Sequence, residues 1–198
     1  IASFQPWQSE LGEHTEVCAI QLPGRGPRLL EPSIRSFDEL VGQLAEVVSA
    51  NAELPFWLFG HSLGALLAFE VARRLQRQGL HNLRGLMVSG CEAPHRRSQR
   101  PRLHEFDDEA LIERLQALNG TPRELLQNRE LMQLLLPSVR ADFELFSNYH
   151  YQPAQALEVP VTVFAGLHDD HVEHANIPCW REQVGATFAL HWIPGDHF

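Results

Sequence analysis

Phe56-Trp57-Leu58-Phe59-Gly60-His61-Ser62-Leu63-Gly64-Ala65-Leu66-Leu67 decides the fold. Four β-forming residues run straight into G-x-S-x-G, and a helical pattern with Leu66, Leu67, Val71 and Leu75 on one side opens directly behind it. Strand, sharp turn and helix in that order are what a nucleophile elbow requires. The turn lifts the Ser62 hydroxyl above the sheet, Gly60 and Gly64 let strand and helix pack closely, and the Leu63 N–H at the helix start can donate to an oxyanion. Alone, G-x-S-x-G is a short pattern that recurs by chance; the flanking strand and helix make it a candidate site.

Outward from the elbow, four more apolar runs read as strands: 16–22, 83–89, 159–165 and 188–193. Continuous apolar runs suit strands covered on both faces, hence a mostly parallel sheet. Helical periodicity fills the gaps at 36–49 and 63–78, so strands alternate with helices in a doubly wound α/β sheet. Residues 95–151 break the alternation. They carry no strand signal but amphipathic helical stretches such as 107–118 and 129–136, and read as an all-helical lid inserted in a single domain spanning 1–198.

A serine hydroxyl is a weak nucleophile at neutral pH and needs a histidine base, which in turn needs a carboxylate to fix its tautomer and stabilise its cation. In this fold the chain order is Ser, acid, His. His197, in Gly195-Asp196-His197-Phe198 just after the last strand, is the natural base. His61, beside the nucleophile, is expected to point elsewhere. Asp169 follows the 159–165 strand within G-x-x-D-x-x-V, where catalytic loops gather. Asp170 and Glu92, the latter behind the strand ending at Ser89, are its rivals.

The chain has 198 residues, 44% apolar and 21% charged, long enough to bury roughly 70% of its unfolded surface. A net charge of −9 argues against a nucleic-acid partner, which calls for a basic surface. No apolar run nears the roughly 18 to 20 residues of a membrane span, and the start has no basic segment followed by an apolar run, so a cytoplasmic enzyme is expected. Cys18, Cys91 and Cys179 are scattered and odd in number, which suggests neither disulfides nor zinc. His168, His171 and His174 lack the carboxylate or cysteine cluster a metal would need.

The sequence resembles the type II thioesterases that accompany nonribosomal peptide and polyketide synthases. The resemblance rests on Leu22-Pro23-Gly24-Arg25-Gly26-Pro27-Arg28, the GHSLG elbow with Ala68-Phe69-Glu70 behind it, Ser89-Gly90-Cys91-Glu92-Ala93-Pro94, Leu136-Pro137, Arg140-Ala141-Asp142-Phe143, Tyr149, Val159-Pro160-Val161, Gly166 with Asp169, Trp180-Arg181 and Gly195-Asp196-His197-Phe198. It covers essentially the whole chain, and Leu22–Arg28 is its specific part. It implies an α/β-hydrolase fold and an acid after the later strand, as at Asp169. It also implies a preceding strand, a loop giving a second oxyanion N–H, and a final helix, so the chain is expected to be trimmed at both ends. One missing donor costs about 3 to 4 kcal/mol of transition-state stabilisation.

The implied chemistry is two-step acyl transfer. Ser62, deprotonated by His197, attacks an acyl thioester on a phosphopantetheine arm, the thiol leaves, and water activated by His197 frees the acid. No metal or bound cofactor is implied, and the protein is expected to be monomeric. The partner is an acyl or peptidyl carrier protein. Four arginines in eight residues, Arg96, Arg97, Arg100 and Arg102, form a basic stretch that could steer such an acidic partner. Rival readings are a general carboxylesterase or lipase acting on oxygen esters, and a non-catalytic hydrolase-like module that binds carrier proteins.

Overall fold

Strands β1 (Phe56–His61), β2 (Leu83–Ser89), β3 (Val161–Gly166) and β4 (Phe188–Ile193) form one sheet in the order β1-β2-β3-β4, with every pair parallel. The protein is represented by a computed structural model that describes residues 4–98, 101–118 and 120–198. His61 stands opposite Ser89, and Gly166 opposite Ile193. The loops leaving the four strands therefore emerge at one edge, the carboxyl edge where parallel sheets carry their sites.

Helices α1 (Trp7–Leu11) and α2 (Phe37–Asn51) precede β1 and α3 (Leu63–Arg77) follows it. Helix α2 starts on a capping pair, Ser36 Oγ accepting from the Glu39 N–H at 3.3 Å. Helix α3 is buried on two sides. Leu66, Phe69 and Ala72 pack with Leu86, Val88, Val161 and Val163 of the sheet, while Leu67, Val71 and Leu75 pack with Leu40, Val41 and Ala45 of α2. Ser62 thus precedes a helix packed on two sides. Elsewhere on β1, Phe59 receives the edge-on rings of Phe4 and Trp7.

One buried polar group interrupts this packing. Arg73, 7% exposed, pairs with Glu70 at 2.8 Å and donates to the Gln152 carbonyl, and the Tyr149 hydroxyl donates to the same Glu70 oxygen at 2.7 Å. Burial, then Glu70, pushes the Tyr149 phenol far above its ordinary range, so it stays a donor.

Between β2 and β3 run α4 (Asp108–Leu118), α5 (Arg123–Leu126) and α6 (Arg129–Asn148). Leu103, Leu111, Leu115, Leu126, Met132 and Leu136 make a core of their own here. The amphipathic stretch at 129–136 is the first part of a longer helix: α6 continues through Pro137 to Asn148. Pro137 removes the bond its own amide would give to the Gln133 carbonyl, a cost of about 3 kcal/mol. Tertiary packing offsets it, because the distal half sets Leu145 into the α2–α3 core and Phe146 against the sheet core.

The expected strand at 16–22 does not form; the segment is extended with no ladder. Its residues alternate, Val17 and Ala19 half-buried and Cys18 and Ile20 exposed. The Val17 amide bonds the Gln8 side chain rather than a strand.

Candidate active site

Ser62 has φ 54° and ψ −117°, and among the described residues it is the only non-glycine with positive φ. Such a backbone costs of order 1–3 kcal/mol and persists only when its surroundings impose it. Here the Ser62 N–H donates to the Ser89 carbonyl at 2.8 Å, and the Ser62 carbonyl accepts from the Ala65 N–H at 3.0 Å. Gly60 is required for the close pass, since a Cβ there would lie 2.0 Å from the Gly64 carbonyl oxygen. Gly64 is not required in the same way, because a Cβ on it meets nothing within 4 Å. The Leu63 N–H opens α3, where no helical carbonyl can reach it.

The loops after β3 and β4 are tied together before they present any chemistry. Leu167 N–H donates to Ile193 O and His168 N–H to Gly195 O, both at 2.9 Å, and a Cβ on Gly166 would sit 2.6 Å from Asp196 O. This lashing brings Asp169 Oδ2 to 2.8 Å from His197 Nδ1, between side chains 1% and 7% exposed. Asp169 Oδ1 accepts from the His171 N–H at 2.8 Å. Burial works to raise the Asp169 pKa, but the hydrogen bond from His197, its charge and the His171 amide outweigh it and hold the carboxyl below its usual value. Asp169 is therefore an ionised partner able to stabilise an imidazolium.

The rivals lie elsewhere. Asp170 is exposed. Glu92 is buried and accepts from the Ser98 N–H, the Ser98 hydroxyl and the Glu173 N–H, bracing two loops. His174 Nε2 lies 3.1 Å from the Asp169 carbonyl, so this histidine ties into the loop that carries Asp169.

His61 does not point away as expected. Its ring centroid lies 4.9 Å from that of His197, and its Nδ1 is 3.2 Å from Ser89 Oγ. Ser62 is thereby one residue from a ring that touches His197. Among the described residues no hydrogen bond joins the Ser62 hydroxyl to His197; such contacts are often loose in sites without substrate.

The arginine stretch divides. Arg97 lies over the Phe146 ring at 4.0 Å and donates to the Phe146 carbonyl, so it is a strut between the β2 exit and α6 rather than a free surface charge. Arg96 and Arg102 are each 55% exposed, near Glu182 and Glu105 respectively. Arg100 lies outside the described residues. The Leu22–Arg28 stretch, in turn, is a locked loop. Gly24 has φ 80° with no room for a Cβ beside Ser33, and Arg25 makes a two-pronged pair with Asp142 of α6 at 2.7 and 2.8 Å.

A serine elbow feeding the first crossover helix, with acid and histidine delivered by the last two strands, is the layout of an α/β-hydrolase. The chain belongs to the Thioesterase domain family, whose match spans residues 1–198, and it is a thioesterase. It is 38% identical over 197 residues to the gramicidin S biosynthesis protein GrsT of Aneurinibacillus migulanus, covering 100% of this chain and 77% of that protein. Its fold superimposes on the type II thioesterase BorB of the borrelidin biosynthetic cluster with a TM-score of 0.91 and 35% identity, covering 100% of this chain and 80% of the other. YbtT, a type II thioesterase of the yersiniabactin NRPS/PKS pathway, superimposes with a TM-score of 0.84 and 35% identity over 99% and 80% of the two chains. Among the described residues no helix is long and apolar enough to cross a membrane.

Proposed function

We propose that the protein is a type II thioesterase that removes aberrant or stalled acyl and aminoacyl groups from the phosphopantetheine arm of carrier proteins in a nonribosomal peptide or polyketide synthase. The observation that carries the catalytic part is the buried 2.8 Å Asp169–His197 pair at the same sheet edge as the strained Ser62. Ser62 is the nucleophile, His197 the base and then the acid, Asp169 the group that fixes the His197 tautomer, and the Leu63 N–H an oxyanion donor.

The Ser62 oxygen attacks the thioester carbonyl as its proton passes to His197. The tetrahedral oxyanion collapses with loss of the thiolate, which takes that proton. Water, deprotonated by His197, then attacks the acyl-serine ester, and His197 returns the proton to the departing Ser62 oxygen as the carboxylic acid is released. This sequence draws on no metal or cofactor of the enzyme's own. The carrier-bound substrate is supported by the relatives' origin in peptide and polyketide clusters, and a monomer working in the cytoplasm beside the synthase fits it.

Residues 95–151 act as the lid of this site. Arg96, 3.9 Å from Glu182, is the exposed cation offered to an acidic carrier; Arg102 is exposed but paired with Glu105 at 2.7 Å and would exchange that partner, whereas Arg97 is occupied inside. The test compares hydrolysis of an acyl carrier protein, an acyl-pantetheine and a p-nitrophenyl ester by the wild type and by Ser62→Ala. Preference for the thioesters, lost in Ser62→Ala together with fluorophosphonate labelling, is expected. A faster rate on the oxygen ester would favour a general esterase, and absence of labelling in the wild type would leave only a binding module.

A further inference from the structure

We propose that His61 is a positioning residue for the catalytic base: it carries the His197 ring on its own ring and so fixes the base relative to the adjacent Ser62. The inference rests on the catalytic reading above and adds a residue that reading does not use.

Three observations meet at this side chain. The first is covalent: His61 is the last residue of β1 and the immediate neighbour of Ser62, so whatever His61 touches is indexed to the nucleophile. The second is the contact itself, with ring centroids of His61 and His197 4.9 Å apart and planes tilted by 53°. The third is the space kept for it. Gly90 has φ 58°, and a Cβ there would lie 2.6 Å from His61 Cε1 and 3.2 Å from His197 Cε1. The loop after β2 is thus shaped to leave these two rings against each other.

The far side of His61 is anchored as well. Its Nδ1 meets Ser89 Oγ at 3.2 Å, on the residue paired with His61 across β1 and β2. Its Nε2 is buried beside the His197 backbone without a well-aligned hydrogen bond. Burial, and then the proximity of His197, lower the His61 pKa to about 4, with Asp169 opposing. At neutral pH it is uncharged and does not repel the imidazolium that forms on His197 during turnover. Asp169 holds His197 from Nδ1, and the rings of His61, His171 and Phe198 pack against its ring, His61 being the one joined directly to Ser62.

The experiment measures steady-state hydrolysis of an acyl-pantetheine thioester, fluorophosphonate labelling rate at Ser62, and thermal unfolding for the wild type, His61→Gln, His61→Ala and Ser89→Ala. For His61→Ala, a kcat lowered roughly tenfold to a hundredfold with KM within about twofold, and labelling slowed in parallel, is expected, because a base displaced by an ångström costs on that order. His61→Gln should recover part of the loss, and Ser89→Ala, which leaves the ring in place but unanchored, should lose less than His61→Ala. Folded variants with wild-type kcat and labelling, or a change in KM alone, would overturn the proposal. If His61→Ala failed to fold, Ser89→Ala at full kcat would overturn it equally. Failure of the wild type itself to hydrolyse or label would instead remove the catalytic reading on which it rests.

Discussion

Asp169 and His197 meet through Oδ2 and Nδ1 at 2.8 Å inside the protein, while Asp170, one residue on, is exposed. Adjacent carboxylates therefore have unequal consequences. Asp169→Asn should lower kcat roughly 10³- to 10⁴-fold by stabilising the wrong His197 tautomer. Asp170→Asn should leave kcat within about twofold. Glu92→Gln, which weakens the acceptor for Ser98 and Glu173, should lower the melting temperature more than it lowers kcat at 25 °C. Kinetics and thermal unfolding on the three variants separate these roles.

The elbow glycines should also part company. Gly60→Ala drives a Cβ into the Gly64 carbonyl and should destabilise by about 3 kcal/mol or more, with loss of activity as Ser62 shifts. Gly64→Ala meets open space in the first turn of α3 and should be neutral or stabilising by up to ~1 kcal/mol, read by urea unfolding.

Charge reversal in the arginine stretch should sort by burial. Arg97→Glu loses both the Phe146 stack and the bond to its carbonyl, about 2 kcal/mol, and should lower the melting temperature whatever substrate is offered. Arg96→Glu with Arg102→Glu should stay within about 0.5 kcal/mol of the wild type. The same pair should raise KM for an acyl carrier protein while sparing the small thioester; equal KM values for both substrates would remove the docking role.

His61 makes stability depend on pH in a defined window. Its folded pKa of about 4 lies below the ordinary 6.5, so between these values the unfolded chain binds a proton that the folded chain refuses. The contribution is complete above about pH 6.5, declines as the pH falls toward 4 and then levels off, with a span on the order of 3 kcal/mol. Asp169, depressed in the folded state, loses its contribution only at lower pH, as the pH falls through its folded value. Urea midpoints from pH 7 to 4 should fall more steeply for the wild type than for His61→Gln.

The elbow, β2, β4 and the pairing of Asp169 with His197 were legible because each rests on local signals: an apolar run, a glycine-flanked serine, an Asp or His just past a strand. Contacts between distant segments were not. Arg97 looked like a surface charge because nothing near it in sequence announces Phe146, 49 residues away. The α6 helix outlasted Pro137 because packing at Leu145 overrides a local penalty. The packing of His61 on His197 had no local signal either, because it joins the end of β1 to a residue 136 positions on across the bare Gly90.

The Arg25–Asp142 fork gives the Leu22–Arg28 loop an engineering meaning. A chimera that imports α4 to α6 from a relative without the matching aspartate would leave Arg25 with no opposite charge where α6 meets this loop. Swaps intended to change acyl preference should carry residues 22–28 and 101–148 as one module, since exchanging either alone splits a joint that holds both.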